Sequence, residues 1–220
     1  MKMKVYSLVL LFVCSLSFYA QKSLSVDDIF TKRMFASKFA SGFKAMKNGI
    51  HYTDIIKDST GIYIAKFDLK TGNKLANIVN ANNVKVDGKQ IDINDYTFSS
   101  DESKILFKTG VEGIYRRSSK AQCFVYNVKT GATTELSANG KQMFATFSPK
   151  GNKVAFVRDN NMFIKDVDSN NESQITFDGK NNEIKNGWAD WVYEEEFSKA
   201  NYFEWNADGS KLAYVKFNES

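Results

Sequence analysis

The 220-residue chain has little of what most catalytic and stabilising chemistry requires: one histidine, one proline and two cysteines. With His51 alone and no G-x-S-x-G elbow, a Ser-His-Asp hydrolase triad cannot be assembled from these residues. We therefore expect His51 to lie at a strand edge rather than to act as a base. No Cys/His cluster offers a transition-metal site, so the sequence predicts neither a metal nor another cofactor.

The scarcity of cysteine matters because residues 1–20, MKMKVYSLVLLFVCSLSFYA, are typical of a secretory signal peptide. Two lysines precede an apolar run that is short for a bilayer span. Cleavage after Ala20 would remove Cys14 and leave Cys123 in the run QCFVYNV, where we expect a small buried hydrophobic side chain. The mature chain, predicted to be secreted or periplasmic, then has no intramolecular disulfide, and its core alone must stabilise the fold.

Charge of one sign is not in strong excess either, since 30 Lys and Arg stand against 25 Asp and Glu. The cations are scattered along the sequence, so no nucleic-acid partner is predicted. Because proline is almost absent, the turns must depend on Gly, Asn and Asp.

The pattern of apolar and polar residues changes near Gly49. Residues 25–48 carry apolar side chains at helical spacing, and Ser25 with Asp28 forms a capping-box pair. This predicts an N-terminal helical segment over residues 21–48. From Gly49 onward, short runs of Val, Ile, Tyr and Phe are broken by Asn, Asp, Gly or Ser, which is typical of strands.

One phrase occurs three times in the strand region: an aromatic residue, a polar turn, a lysine, and an apolar strand that ends in an aromatic. The copies are YTFSSDESKILFKT (96–109), ATFSPKGNKVAFVR (145–158) and FEWNADGSKLAYVK (203–216). A second phrase, FDLKTGNK (67–74) and YNVKTGATTEL (126–136), predicts a further hairpin between copies. Such repeats are typical of β-propeller blades, and residues 49–220 have room for about three and a half. The predicted fold class is all-β, an incomplete propeller preceded by a short helical segment.

The third repeat is longer, and the additional residues contain WADWVYEEEFSKANY, which predicts a loop excursion with a short helix. Its carboxylates Glu194, Glu195 and Glu196 repel each other, and the nearest cations along the chain are Lys185 and Lys199. A solvated helix turn is one interpretation. The flanking aromatic residues would partly dehydrate the cluster, which favours a cationic ligand. A hard-cation site is a further alternative, but the triplet lacks the ordered Asn/Asp ligands of such sites.

These motifs together resemble the dipeptidyl peptidase IV family of serine exopeptidases, in the prolyl oligopeptidase clan. The resemblance lies in its N-terminal β-propeller domain and extends over residues 24–220. It is carried by NGWADWVYEEEF, WNADGSKLAYVKFNES, INDYTFSSDESKILF, GIYRRSSKAQCFVYNV and FSPKGNKVAFVRDNNMFIKDV, in the family's order. The resemblance implies an eight-bladed propeller covering an α/β-hydrolase domain, in an enzyme that removes Xaa-Pro or Xaa-Ala dipeptides from free peptide N-termini.

The same resemblance implies which residues bind the peptide. Glu195 and Glu196 match the glutamates that clamp the substrate's α-ammonium, and helical geometry turns Glu194 away from them, so its loss is expected to cost little. Arg116, which follows Tyr115 where the family has tryptophan, matches the arginine that binds a substrate carbonyl. Arg117 remains an alternative for that role.

The resemblance also implies what lies outside these residues. The family's catalytic Ser, Asp and His fall beyond the end of the chain, so no catalytic residue is predicted here and the chain alone is expected to be inactive. The implied partners are peptides with a free N-terminus, the α/β-hydrolase domain of the parent chain and, in the parent enzyme, a second copy. The alternative is a non-enzymatic, truncated propeller that binds peptides or a periplasmic partner.

Overall fold

The structure is a computed structural model that describes residues 24–36, 42–93 and 95–220. The chain divides into two compact units, Met1–Ser41 and Gly42–Ser220. The predicted signal peptide lies outside the described residues. Within the described ranges, no helix is both long and apolar enough to cross a bilayer.

The first unit contains helix α1 (Val26–Phe30), which begins at the predicted capping box. The Asp28 N–H donates to Ser25 Oγ, and the Ser25 N–H donates to Asp28 Oδ2, each over 3.1 Å. The helix then stops, because Arg33 adopts a positive φ of 49° and the Met34 N–H turns back to the Asp28 carbonyl.

A short helical segment is therefore confirmed, but the prediction that it continues to residue 48 is wrong. Residues 31–36 form turns, and residues 37–41 lie outside the described part of the chain. Lys44 and Ala45 pair with Tyr52 and Thr53 as strand β1 (Lys44–Ala45). Cross-strand pairing overrides the helical spacing of the apolar residues there, which is the usual way tertiary context defeats a local pattern.

The second unit opens with a four-stranded antiparallel meander in the order β1-β2-β3-β4. Its longer strands are β2 (His51–Asp58), β3 (Gly61–Asp68) and β4 (Lys74–Asn80). His51 is the first residue of β2, so its predicted position at a strand end is confirmed. A 3-10 helix (Ala81–Asn83) and the ribbon β5 (Lys85–Val86) with β6 (Lys89–Gln90) follow.

The second meander consists of four antiparallel strands paired in chain order. They are β7 (Asp95–Phe98), β8 (Lys104–Gly113), β9 (Ser119–Asn127) and β10 (Thr133–Glu135).

The third meander has the same connectivity. Its strands are β11 (Gln142–Phe147), β12 (Lys153–Arg158), β13 (Asn161–Asp166) and β14 (Glu172–Gln174). Because β11 also pairs with β9, the second and third meanders share one eight-stranded sheet.

The last part of the chain forms two further antiparallel pairs, β15 with β18 and β16 with β17. The bounds are β15 (Ile184–Asn186), β16 (Phe203–Trp205), β17 (Leu212–Tyr214) and β18 (Lys216–Asn218). Helix α2 (Trp191–Phe197) lies between β15 and β16. Three meanders and a partial fourth agree with the all-β, incomplete propeller that the sequence predicts.

The repeated phrases form the predicted hairpins, and their turns are closed in the same way each time. The residue after the first strand donates its N–H to the carbonyl of the repeated lysine. The pairs are Ser99 to Lys104 (2.9 Å), Ser148 to Lys153 (2.8 Å) and Asn206 to Lys211 (3.0 Å). The second phrase also forms equivalent turns, from Asp68 to Asn73 and from Asn127 to Ala132. A third such turn, from Asp166 to Asn171, is present in the structure but is not predicted by the repeated phrases.

Apolar layers between successive meanders form the core, because side chains of a strand alternate between its two faces. In β8, Ile105 and Phe107 pack towards the first meander, whereas Leu106 packs towards the third. In β12, Val154 and Phe156 face the second meander. The second and third meanders thus bury both faces against their neighbours, as repeat architectures require.

Cys123 lies in the layer between the second and third meanders, where only 1% of it is exposed. Burial raises the pKa of its thiol to about 12. The thiol is therefore neutral at ordinary pH, and the predicted role as a small buried hydrophobe is confirmed.

A largely buried ion pair in the third meander joins β12 to β14, with β13 between them. Arg158 at the end of β12 donates to Glu172 of β14 over 2.8 Å, and its guanidinium lies 3.9 Å from the Phe163 ring centroid. Burial acts to raise the pKa of Glu172, but hydrogen bonds from Arg158 and Ser137 outweigh this, and the pKa lies below its ordinary value.

Replacing Arg158 by leucine should lower the free energy of unfolding by about 3 kcal/mol, the low end for a buried pair, because it leaves the mostly buried Glu172 carboxylate without its cation. The matched control is Lys180→Ala in the exposed Lys180–Glu183 pair. This substitution should change the free energy of unfolding by less than about 1 kcal/mol. Urea unfolding measures both. Since the pKa of Glu172 is lowered, the contribution of the pair should be complete above the ordinary glutamate pKa and fade as pH falls below it. Equal effects of the two variants would contradict this assignment.

Candidate functional site

Helix α2 sits on a loop excursion whose base is closed by backbone hydrogen bonds. The Ala189 N–H donates to the Ala200 carbonyl over 3.0 Å, and Trp188 bridges to Asn201. Gly187, just before the excursion, has φ 79°, and a Cβ there would lie 2.7 Å from Met162 Sδ. Only glycine therefore lets the chain pass so close to the third meander, and the predicted excursion with a short helix is confirmed.

The helix has defined ends. Asp190 is the N-cap, and its Oδ1 accepts the Tyr193 N–H over 2.7 Å. Ser198 ends the helix in the left-handed region, at φ 55°. Tyr193 packs against Phe217, with ring centroids 5.0 Å apart. The glutamates between these ends are therefore held in fixed directions.

The three consecutive glutamates differ sharply in environment. Glu194 is fully buried, the Glu195 side chain is 23% exposed, and Glu196 is exposed. This is the orientation that helical geometry predicts, with Glu194 turned inward and the other two directed towards the surface.

Arg116 and Arg117 lie in the loop that joins β8 to β9. The loop is a closed turn, because the Ile114 N–H donates to the Ser118 carbonyl (2.9 Å) and the Tyr115 N–H to Ser118 Oγ (3.2 Å). We call residues 114–118 the arginine loop.

An aromatic contact with Trp188, at the base of the excursion that carries helix α2, supports the arginine loop. The Tyr115 ring stacks on that of Trp188, with centroids 6.4 Å apart and planes 23° from parallel. The Trp188 indole N–H in turn donates to Asn160 Oδ1 over 3.2 Å. Tyr115 thus offers an aromatic face to Trp188.

The structure brings Arg116 to the glutamates. Arg116 Nε lies 3.4 Å from Glu195 Oε2, although the two residues are far apart in the sequence. The Arg117 side chain goes elsewhere, since its Nη2 donates to Ser198 Oγ over 2.9 Å. Of the two arginines that the sequence leaves open, Arg116 is therefore the one beside Glu195.

Glu194 makes the closest connection between the helix and the arginine loop. Its Oε1 accepts the backbone N–H of Arg117 (2.5 Å) and that of Ser118 (2.9 Å). Its Oε2 is buried and has no hydrogen-bond partner among the described residues. The cation that the sequence could not supply locally comes from Arg116, but it pairs with Glu195 and not with Glu194.

Apart from the Arg117 guanidinium, which is turned to Ser198, the exposed charges of the site are the Glu195 and Glu196 carboxylates and the Arg116 guanidinium. Glu196 has no cation within ion-pair distance in the described part of the chain, whereas Glu195 has Arg116. The cluster therefore has one uncompensated negative charge, which suits a ligand with a single positive charge and hydrogen-bond donors. A partly exposed pair such as Arg116–Glu195 contributes little to stability by itself, so it is free to exchange partners with a ligand.

Sequence reasoning singled out Glu195, Glu196 and Arg116 but not the residues that hold them in place. These are Glu194 with its two amide hydrogen bonds, Ser118, Ser198 and the Tyr115–Trp188 stack. The prediction that losing Glu194 costs little activity considers only the direction of its side chain away from Glu195 and Glu196. Its two hydrogen bonds to backbone amides argue against that prediction. The only signal in the sequence was the serine pair after the arginines, a residue type that often closes tight turns.

Comparison with known proteins supports the resemblance carried by these motifs. The chain is similar to the dipeptidyl peptidase 4 of Porphyromonas gingivalis in its crystal structure, with a TM-score of 0.80 and 38% identity over 91% of this chain and 28% of that one. It is 29% identical over 211 residues to a probable dipeptidyl-aminopeptidase B of Pyrenophora teres, which is 90% of this chain and 23% of the relative. It is also 37% identical over 130 residues to dipeptidyl peptidase 4 of Felis catus, 58% of this chain and 17% of the relative.

The chain thus spans between 17% and 28% of the length of these relatives. A family model described as the dipeptidyl peptidase IV N-terminal region matches residues 99–220, which include the arginine loop and helix α2. The chain therefore belongs to the dipeptidyl peptidase IV family, as part of its N-terminal propeller region.

Proposed function

We propose that this chain is the substrate-recognition part of an exported serine dipeptidyl peptidase that releases Xaa-Pro or Xaa-Ala dipeptides from free peptide N-termini. The observation that carries the proposal is the approach of Arg116 to Glu195, beside the unpaired Glu196, on a helix and a loop held by backbone hydrogen bonds. The nucleophile and its base would come from the α/β-hydrolase domain of the parent chain. Export rests on the signal-peptide pattern of residues 1–20.

In this proposal the peptide's α-ammonium binds between Glu195 and Glu196. The ammonium has three donors and one positive charge, which matches the uncompensated charge of the cluster. Arg116 turns part of its guanidinium to the first carbonyl of the peptide. The clamp thereby fixes the distance from the N-terminus to the bond that is cut, which is positioning and not bond-breaking chemistry.

The same geometry explains why such a site selects chain ends. A peptide that continued past Glu195 and Glu196 would present a neutral amide where the ammonium belongs. It would leave two carboxylates partly dehydrated with a single cation to compensate them, which is costly. The proposed activity is therefore that of an exopeptidase.

Glu195→Gln and Glu196→Gln, each in the full-length enzyme, should lower kcat/KM for alanyl-prolyl-p-nitroanilide. Each substitution removes a charged hydrogen bond, which contributes about 1.5–3 kcal/mol and corresponds to about 10- to 150-fold. Steady-state kinetics measures the loss. Glu183→Ala, in the exposed Lys180–Glu183 pair outside the clamp, is the matched control and should leave kcat/KM unchanged.

The same enzyme should discriminate strongly against the N-acetylated substrate, because acetylation removes the ammonium. The Glu195→Gln/Glu196→Gln double variant should lose most of that discrimination. If wild-type enzyme cleaves the acetylated and free substrates equally well, the amine-clamp proposal is wrong.

The pH dependence should report the substrate's amine. An α-amino group has a pKa of about 7.7–8.0, so kcat/KM should decline above that range as the cation is lost. A substrate whose amine has a lower pKa should shift the decline to lower pH by the same amount. A decline that stays at one pH for both substrates would belong to the enzyme and would contradict the proposal.

A further inference from the structure

We propose that Glu194 is a positioning residue that ties the arginine loop to helix α2 and so holds Arg116 opposite Glu195. The inference rests on the proposed function, since it assigns a role within the same clamp. Its basis is the pair of hydrogen bonds from consecutive backbone amides, those of Arg117 and Ser118, to one carboxylate oxygen.

Glu194 is not placed to bind the peptide itself. It is fully buried; Oε1 is occupied by the two amides, and Oε2 is sealed from solvent by the protein. A peptide ammonium cannot reach either oxygen without opening the contact between helix and loop. Although Glu194 belongs to the same triplet as the clamp residues, its role must differ from theirs.

The burial of Glu194 is costly unless its charge is compensated, because a carboxylate loses its hydration there. No cation contacts it among the described residues, and the nearby Arg117 guanidinium is turned towards Ser198. The two backbone amides are thus its compensation. Conversely, these amides belong to the two peptide bonds on either side of the Arg117 Cα, so the carboxylate fixes the backbone immediately after Arg116.

Arg116 depends on this anchor because its own side chain is weakly held. The side chain is 70% exposed, and its ion pair with Glu195 is a single 3.4 Å contact. Such exposed pairs do not fix a long side chain in place. Since Glu194 precedes Glu195 on the helix, the anchor connects the backbone of both charged partners directly.

The two hydrogen bonds can be measured without substrate, by hydrogen exchange of the full-length protein. In Glu194→Ala, the amides of Arg117 and Ser118 should exchange at least about tenfold faster, as expected for the loss of charged hydrogen bonds. Glu194→Gln keeps the Oε1 acceptor and should exchange within about threefold of wild type. Glu183→Ala should not change these amides.

Kinetics then tests whether the anchor acts through Arg116. For alanyl-prolyl-p-nitroanilide, Glu194→Ala should raise KM by about tenfold or more, and Glu194→Gln should recover most of the loss. In an Arg116→Ala background, Glu194→Ala should have less than about a twofold further effect, because residues that act through one another are not additive. By contrast, Glu195→Gln and Glu196→Gln should not preserve binding.

The outcomes separate the two proposals. Unchanged exchange in Glu194→Ala, or additive effects of Glu194→Ala and Arg116→Ala, would overturn the positioning role while leaving the amine clamp intact. A Glu194→Gln variant as impaired as Glu194→Ala would also overturn it, because the charge itself would then be required. Equal cleavage of acetylated and free substrates by wild type would overturn the clamp and, with it, the role of Glu194 in it.

Discussion

A single carboxylate oxygen, Oε1 of Glu194, joins the two pieces of chain that form the site. It accepts two consecutive backbone amides from a loop that precedes it by 77 residues in the sequence. Without that link, the connections that remain between the arginine loop and the segment that carries Glu195 and Glu196 are an exposed ion pair, the hydrogen bond from Arg117 to Ser198 and an aromatic stack. The approach of Arg116 to Glu195 therefore depends, in our proposal, on a buried carboxylate.

The link can be this short because the meanders beneath it are rigidly spaced. The arginine loop is the β8–β9 turn of the second meander, and helix α2 follows the third meander in the chain. Apolar layers fill the space between successive meanders, and side chains of β8 and β12 contribute to the layers on both sides. Packed interiors transmit position well, so a loop and a helix from different repeats can meet to within hydrogen-bond distance.

The features that sequence predicts well are those set by local chemistry. The hairpins follow from repeated turns in which the same backbone hydrogen bond forms each time, and the capping box at Ser25 and Asp28 needs only three residues of separation. The motif DWVYEEEF also predicts its own short helix, since Asp190 caps it and successive glutamates must diverge. These signals are complete within a few residues.

Sequence alone does not predict the features that depend on partners distant along the chain. The spacing of apolar residues after Phe30 predicts a helix, but Lys44 and Ala45 pair with β2 instead. No residue pattern in that segment predicts this pairing. Likewise, helix geometry shows that Glu194 turns away from its neighbours but not what it meets. Only the fold shows that it meets the amides of Arg117 and Ser118, which changes a glutamate expected to matter little into the proposed anchor of the site.

The most direct measurement of the central claim is a crystal structure of the full-length protein with a bound peptide that has a free N-terminus. The account predicts the α-ammonium within hydrogen-bond distance of both the Glu195 and Glu196 carboxylates, Arg116 at the first carbonyl, and the Glu194 hydrogen bonds to the arginine loop unchanged. A peptide whose N-terminus lies elsewhere, or whose interior crosses the two glutamates, would contradict it.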